Sequence, residues 1–236
     1  MCGRFVRFAK ESIFADLILR DGSPFLTEEH FAPRYNIAPG SPVEILRKDS
    51  GKYLSDFVLW GLLPAWSKDA LQKRYSNARL EGIEEKPSFR GPYLRRRCLI
   101  QAEGYYEWMT KNKIKYPYYI YTSDLASFAL GGIYDIWMGK DGSEEYTLAL
   151  ITTQANKSVS YIHDRMPLVI PKEHYESWLD PSLSSREIQK ITDISKSNVW
   201  KSHQVSKEVN HSSAYGSQLI QAMTEEVDKD PGLFDN

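Results

Sequence analysis

The segment between residues 98 and 152 constrains the fold most, because strand-like runs fill more than half of it. Aromatic, β-branched and leucine residues, which favour strands, are concentrated in residues 98–102, 105–109, 116–121, 128–136 and 146–152. Turn signals at Lys111-Asn112-Lys113 and at Lys140-Asp141-Gly142 separate two pairs of these runs. This spacing predicts an antiparallel meander.

The flanking segments add further strands and helices. Strand composition is found in residues 4–8, 43–47, 53–60, 166–170 and 204–209, and helical spacing in residues 10–20, 172–179 and 185–194. Residues 61–92 are predicted to be an irregular connection, and the acidic residues 224–236 a disordered tail. We therefore expect a single α+β domain over residues 1–223, with a barrel-like, largely antiparallel β-sheet flanked by helices.

Composition limits the classes of function. The chain has 236 residues and is 42% hydrophobic, which suits a globular domain. Its 30 Lys and Arg residues nearly balance 31 Asp and Glu residues, so affinity for a nucleic acid would have to come from a local patch. The 2 cysteines cannot build a disulfide framework, and no stretch approaches the ~18 apolar residues of a membrane span. We expect a cytoplasmic protein.

The second residue, Cys2, offers chemistry that no internal residue has. If Met1 is removed, Cys2 carries a free α-amine and a thiol on adjacent carbons, with ordinary pKa values of about 8 and about 8.5. Such a 1,2-aminothiol condenses with an aldehyde, first through the amine to a Schiff base and then, when the thiol closes onto the imine, to a thiazolidine. The alternative is that Cys2 is a small buried apolar residue.

Glu107 is a candidate for acid-base chemistry. Alternation along the predicted strand places Tyr105, Glu107 and Met109 on one face. A carboxyl group that shares a dry face with such neighbours would have a raised pKa, which suits a general acid or base. The alternative is a glutamate on the solvated side of an edge strand.

His163 and Asn77 are less specific candidates. His163 precedes a predicted strand and suits proton transfer at neutral pH, although a structural bond to Asp164 is an alternative. Asn77 suits the orientation of a substrate oxygen, or else it caps a turn. The sequence has no HExxH pair, no CxxC pair and no glycine-rich phosphate loop, so it predicts no metal and no cofactor.

Aromatic and basic residues are interleaved around the irregular segment. In proteins that bind single strands, cations follow the phosphates and exposed rings stack on the bases. The alternative is that the tryptophans belong to the core and the arginines form a solvated face. The residues concerned are Trp60, Trp66, Lys68, Lys73, Arg74, Arg79, Arg90, Arg95, Arg96 and Arg97.

Taken in order, the motifs of this chain resemble those of the SRAP (SOS-response-associated peptidase) family, the abasic-site-processing proteins. The resemblance extends over nearly the whole chain. It is carried by MCGRF at 1–5, YNIAPG at 35–40, WGLLPAW at 60–66, NARLE at 77–81, GYYEW at 104–108, HDRMP at 163–167 and residues 205–221.

The resemblance implies a compact α+β domain around a barrel-like antiparallel sheet, and covalent capture of abasic sites in single-stranded DNA as part of the DNA damage response. By similarity, Cys2 is the nucleophile and Glu107 the acid/base, while Asn77 and His163 line the site. Lyase activity at abasic sites and autocatalytic removal of Met1 are further activities that the family implies.

For the DNA, the resemblance implies that Arg4 and Arg79 hold the phosphates that flank the lesion, while Trp66 and Pro39 support neighbouring bases. Some members carry a second aromatic residue after Trp66, where this chain has Ser67, so the details of stacking differ. The implied partner is single-stranded DNA that contains abasic sites, bound by a nucleoid-associated monomer.

Two other classes of protein fit parts of the pattern. Amidotransferases with an N-terminal cysteine also begin Met-Cys-Gly, but they continue with an aliphatic residue where this chain has Arg4, and they need a glutamine site and a synthase domain. We expect no glutaminase activity. A protein that binds single-stranded or modified DNA reversibly, with a structural Cys2, would keep its affinity in a Cys2→Ala variant.

Overall fold

The computed structural model describes residues 2–20, 32–123, 126–194 and 199–223, which form a mixed α+β fold made mostly of strands. The described strands are β1 (Arg4–Arg7), β2 (Arg34–Ile37), β3 (Pro42–Asp49), β4 (Lys52–Trp60), β5 (Asn77–Arg79), β6 (Arg97–Ala102), β7 (Gly104–Lys111), β8 (Ile114–Thr122), β9 (Phe128–Met138), β10 (Glu144–Gln154), β11 (Arg165–Pro167), β12 (Val169–Ile170) and β13 (Trp200–Gln204). The described helices are α1 (Ala15–Arg20), α2 (Pro87–Arg95), α3 (Tyr175–Leu179) and α4 (Ser185–Ile194).

Strands β10, β4, β3, β6 and β9 close into a barrel in that order, because β10 pairs with both β4 and β9. The neighbouring pairs in this ring are antiparallel, apart from the parallel pair of β4 and β10. Closure leaves the ring without an open strand edge. Helices α1, α2 and α3 pack against its strands. The predicted barrel-like, largely antiparallel sheet flanked by helices is confirmed.

A second sheet has the strand order β13, β8, β7, β1 and β2. The predicted meander is therefore wrong, since β6 and β7 are consecutive in the chain but belong to different sheets. The chain changes sheet at Glu103, whose buried carboxylate accepts hydrogen bonds from the backbone N–H groups of Phe8 and Ala9. The N–H of Glu103 donates to the carbonyl oxygen of Val6 (2.9 Å). These long-range bonds have no signature in local composition.

A large hydrophobic cluster joins the two sheets. It contains Phe5 and Tyr105 from the second sheet and Trp60 and Cys98 from the barrel. The rings of Phe5 and Trp60 are in contact, with 5.4 Å between their centroids. Cys2 belongs to the same cluster and is fully buried. The beginning of the described chain is therefore part of the core.

The structure corrects two predicted elements. The helix predicted over residues 10–20 begins only at Ala15, because the Gln101 side chain accepts from the Ile13 N–H (3.1 Å) and donates to the Glu11 carbonyl (3.0 Å). The strand predicted over residues 204–209 is wrong in position. Strand β13 ends at Gln204, where that prediction begins, and a 3-10 turn follows at Lys207–Asn210.

Other segments differ in detail. The strand predicted over residues 166–170 is divided at Leu168 into β11, which pairs with β10, and β12, which pairs with β9. The segment predicted to be irregular contains β5 and most of α2, which begins at Pro87, a residue suited to the first helical position. The predicted tail, residues 224–236, lies outside the described residues. Among the described helices, none could span a bilayer.

Close packing at Gly104, the first residue of β7, leads to a prediction about stability. A Cβ atom there would lie 2.5 Å from Cζ and from the hydroxyl oxygen of Tyr119, a buried ring whose hydroxyl donates to the carbonyl of Glu103 (3.0 Å). We predict that Gly104→Ala lowers the free energy of unfolding by about 1–3 kcal/mol in urea denaturation, because overpacking displaces buried neighbours.

The matched control for this prediction is the same substitution in a Tyr119→Ala background. Removal of the ring opens the space that the new methyl group needs, so Gly104→Ala should cost much less there. An equal cost in both backgrounds would contradict the steric explanation.

Candidate active site

Cys2 is held where the two sheets meet. Strand β1 pairs with β7 so that Phe5 lies opposite Tyr105, and this register brings the residues before β1 alongside the middle of β7. The Cys2 thiol is fully buried, and Sγ donates weakly to the Arg4 carbonyl (4.0 Å). Burial raises the pKa of the thiol, and the nearby Glu107 carboxylate raises it further. The thiol is therefore protonated and needs a base before it can react.

Glu107 is a buried carboxyl group next to this thiol. Strand β7 lies between β8 and β1, and Glu107 is 2% exposed, so the alternative of a glutamate on a solvated edge strand is wrong. Burial raises the pKa of the carboxyl group, while the electrostatic interaction with His163 lowers it. A carboxyl group with a raised pKa in a dry site can hold a proton at a higher pH than usual and deliver it.

His163 lies in the loop before β11 and interacts electrostatically with Glu107. Its Nδ1 atom is 2.9 Å from the Arg165 backbone nitrogen and 2.9 Å from Oδ1 of Asp164, a carboxylate that is 85% exposed. A backbone N–H can only donate, so Nδ1 is the acceptor of the bond from Arg165, and Nε2 is the ring nitrogen that can carry a proton. The structure thus contains the Asp164 contact expected of a structural histidine. It also leaves Nε2 as the ring nitrogen that could transfer a proton.

Asn77 is the first residue of β5 and pairs with Leu150 of β10, so it lies in a strand and not in a turn. Its segment is fixed to the core because the Trp60 indole N–H donates to the Ser76 carbonyl (2.7 Å). The Asn77 amide donates to Ser76 Oγ (3.4 Å), whereas its Oδ1 is buried without a hydrogen-bond partner among the described residues. Buried polar atoms of this kind are rare and indicate a missing partner such as water or a substrate.

Tyr105 is a member of this site that the sequence analysis did not single out. Its side chain is fully buried, its ring stands edge-on to Trp200, and its hydroxyl has no hydrogen-bond partner within the described residues. Burial raises the pKa of the hydroxyl, and interactions with Cys2 and Glu107 add to this effect. The spacing of two between Tyr105 and Glu107 on one strand was the available signal.

The predicted catalytic residues come from four separate segments of the chain. Cys2 precedes β1 of the second sheet, and Glu107 lies in β7 of that sheet. Asn77 lies in β5 and His163 precedes β11, and both of these strands pair with the barrel strand β10. There, β5 pairs with residues 150–152 and β11 with residues 152–154.

The residues predicted to contact DNA fall into two groups. Arg79, Trp66 and Pro39 are exposed, and Arg79 follows Asn77 by two residues on β5. Arg4 is half-buried and already bound inside the protein. Its guanidinium donates to Asn36 Oδ1 (2.7 Å) and to the backbone carbonyls of residues 209 (2.7 Å) and 210 (3.3 Å), and burial lowers its pKa.

Only some of the basic and aromatic residues between Trp60 and Arg97 lie on the surface. Trp60 is a core residue, so for it the structural alternative is correct. Arg97 is buried with its guanidinium bound to backbone carbonyls, so it belongs neither to a DNA-binding surface nor to a solvated face. Arg74 is paired with Glu145 (2.9 Å). Trp66, by contrast, is 61% exposed. Within the described ranges, no cluster of His, Cys, Asp and Glu side chains is suited to hold a metal ion.

The raised pKa of Glu107 predicts how stability changes with pH. The folded protein binds this proton more tightly than the unfolded chain, so the contribution of Glu107 is fully present below its unfolded pKa of about 4.5 and is lost as the pH rises through the folded pKa. Glu107→Gln resembles the protonated form. We expect it to raise the midpoint of thermal unfolding at about pH 7.5, with the gain disappearing near about pH 4.

The control for this pH series is Glu85→Gln, at an exposed position, which should change the midpoint little at either pH. A Glu107→Gln protein that is less stable than the wild type at about pH 7.5 would contradict the assignment of a strained, buried carboxyl group.

The chain is similar to known proteins in sequence and in fold. The model of the family SOS response associated peptidase (SRAP) matches residues 1–212. Abasic site processing protein YoaM of Bacillus subtilis (strain 168) is 34% identical over 94% of this chain and 98% of its own length. Abasic site processing protein HMCES of Gallus gallus is 32% identical over 81% of this chain and 69% of its own length.

Among solved structures, the crystal structure of a protein from Bacteroides thetaiotaomicron superposes with a TM-score of 0.75 and 28% identity, covering 93% of this chain and 100% of that one. Sequence and fold therefore agree, and the chain belongs to the SOS response associated peptidase (SRAP) family.

Proposed function

We propose that this protein captures abasic sites in single-stranded DNA as a covalent thiazolidine adduct of Cys2, formed after Met1 has been removed. An abasic nucleotide has lost its base and can expose an aldehyde at C1 of its sugar. The observation that carries the proposal is the position of Cys2, directly after Met1 and enclosed beside the buried Glu107. The names of the relatives as abasic site processing proteins support the choice of substrate.

The first step is the opening of the sugar ring. The abasic sugar is mostly a closed hemiacetal, and its ring oxygen needs a proton before the aldehyde is released. His163 through Nε2–H, or Glu107 in its protonated form, would supply that proton. General acid catalysis of this kind is typically worth about 10²–10⁴-fold in rate.

Bond formation at C1 follows in two stages. The Cys2 amine adds to the carbonyl carbon, and the resulting carbinolamine loses water to give the imine. The thiol then adds to the same carbon, its proton passes to the imine nitrogen with Glu107 as the relay, and a five-membered ring closes. Overall, one aldehyde and one aminothiol give one thiazolidine and one water. Asn77, with its unpartnered Oδ1, would orient the sugar hydroxyl during these steps.

The same imine has a second outcome. It acidifies the protons at C2 of the sugar, so that β-elimination can cleave the strand before the thiol closes the ring. This would be the lyase activity. Ring closure by a thiol already enclosed next to the imine competes with that elimination. Glu107 would also protonate the thiazolidine for slow release. Autocatalytic removal of Met1 is part of the same proposal.

Single-stranded DNA would approach along the exposed side chains near the site. Arg79 would pair with a phosphate that flanks the lesion, while Trp66 and Pro39 would support neighbouring bases. Arg4 would also contact a phosphate that flanks the lesion. It would do so with fewer N–H groups, because part of its guanidinium is already engaged in internal hydrogen bonds.

The complete burial of Cys2 favours one competing function, which is reversible binding of single-stranded or modified DNA with a structural cysteine. The two functions differ in whether the link between protein and DNA survives denaturation, so the test is made under denaturing conditions.

The test is a denaturing gel of the Met1-processed protein after incubation with a single-stranded oligonucleotide that carries one abasic site. We expect a heat-stable shifted band in the wild type and none in Cys2→Ala. The matched control is Cys98→Ala, which removes the other fully buried cysteine and should leave the band unchanged. A band of equal strength in Cys2→Ala, or no band with a confirmed free Cys2 and an intact aldehyde, would overturn the proposal.

A further inference from the structure

A row of aromatic side chains extends outwards from Glu107 along the hairpin of β7 and β8. Glu107 pairs directly with Tyr118, and Met109, the next residue on that face of β7, pairs with Tyr116. Residues that lie directly opposite each other in an antiparallel pair share one face of the sheet. Tyr116, Tyr118 and Met109 are partly exposed. This face therefore leads from the candidate active site to solvent.

Tyr161 continues the row, two residues before His163. Its ring stands edge-on to Tyr118, with 6.4 Å between the centroids and an interplanar angle of 87°. Its hydroxyl oxygen lies 2.6 Å from Oγ of Ser202 on β13, yet 57% of the residue is exposed. A ring that is already held in place loses little conformational freedom when another ring stacks on it.

The outer part of the same hairpin is basic. Lys111, Lys113 and Lys115 are exposed, and the ammonium of Lys207 lies 5.6 Å from the centre of the Tyr116 ring. None of these lysines is ion-paired with a carboxylate in the ranges that the structure describes. Cations placed beside exposed aromatic rings are the combination that holds single strands.

We propose that this face is the path of the DNA strand on one side of the abasic nucleotide, an inference that rests on the proposed function. A base next to an abasic position lacks one stacking neighbour, and the Tyr161 ring can replace it, at ~1–3 kcal/mol per base. Trp66 and Pro39 belong to loops of the barrel, and they would hold the other side of the lesion. The tyrosine–lysine face is defined as Tyr116, Tyr118, Tyr161, Lys111, Lys113 and Lys207.

The lysines are tested by fluorescence anisotropy with an undamaged single-stranded oligonucleotide, so that the result does not depend on covalent chemistry. In a variant with Lys111→Gln, Lys113→Gln and Lys207→Gln, we expect the slope of log affinity against log salt to fall in magnitude by about 2, at ~0.7 for each phosphate that is no longer neutralised. The slope should stay at the wild-type value in a matched control that neutralises exposed lysines elsewhere, at Lys140, Lys172 and Lys190.

The ring of Tyr161 is tested in the same assay. Tyr161→Ala should weaken binding about 5- to 150-fold, which corresponds to the loss of one stacked base. Tyr161→Phe keeps the ring and removes only the hydrogen bond with Ser202, so its affinity should stay within about 3-fold of the wild type. An unchanged salt slope together with an unchanged affinity of Tyr161→Ala would overturn the proposal, whether or not the protein forms covalent adducts.

Two further oligonucleotides test whether the face serves one side of the lesion. One carries the abasic site at its 5′ end and the other at its 3′ end, so each offers only one flank. With subsaturating DNA, Tyr161→Ala should reduce covalent capture of one of them and spare the other, and an equal loss on both would contradict the assignment. If the wild type captures neither of these nor an oligonucleotide with an internal abasic site, but the variants still lose affinity for undamaged DNA, the proposed function fails while the binding face stands.

Discussion

The enclosure of the Cys2 thiol beside the Glu107 carboxyl group is the constraint on which the rest of the site depends. Burial raises the pKa of both groups, because neither anion is stable alone where water is excluded. Both groups therefore bind a proton more tightly than they would in water. This suits a sequence in which a neutral amine attacks first and the thiol follows as its proton is taken up nearby. The pairing of β1 with β7 is what maintains the enclosure.

Strand β10 organises the other half of the site. It pairs with β4 and β9 to close the barrel, and its end also pairs with β5 and β11. Arg165 of β11 connects these segments directly through its side chain. Its Nη2 donates to the Glu81 carboxylate (2.7 Å) and to the Thr152 carbonyl (2.6 Å). Asn77 and His163 are consequently positioned by one rigid strand and not by two independent loops, which favours precise geometry at a reacting centre.

Local pattern predicted that Glu107 shares a face with Tyr105, because a period of two fixes the face in any strand, but it left the burial of that face open. The same kind of evidence could not separate Trp60 from Trp66. They flank one motif, yet Trp60 ends β4 inside the core and Trp66 lies beyond it, 61% exposed. Arg4 shows most clearly what a local pattern cannot predict, since one of its hydrogen-bond acceptors is 205 residues away in the chain. Contacts of that range, like the parallel pair that closes the barrel, depend on the assembled fold and leave no local signal.

Mass spectrometry of the crosslinked protein tests the central claim most directly, because it locates the bond. After incubation with an abasic oligonucleotide, digestion and iodoacetamide treatment, the account predicts DNA on the peptide that begins with Cys2. Its mass should be one water less than the sum of peptide and aldehyde, and its thiol should resist alkylation because the ring has consumed both nucleophiles. An adduct on a lysine or on the Cys98 peptide, or a DNA-linked Cys2 peptide whose thiol is still alkylated, would contradict it.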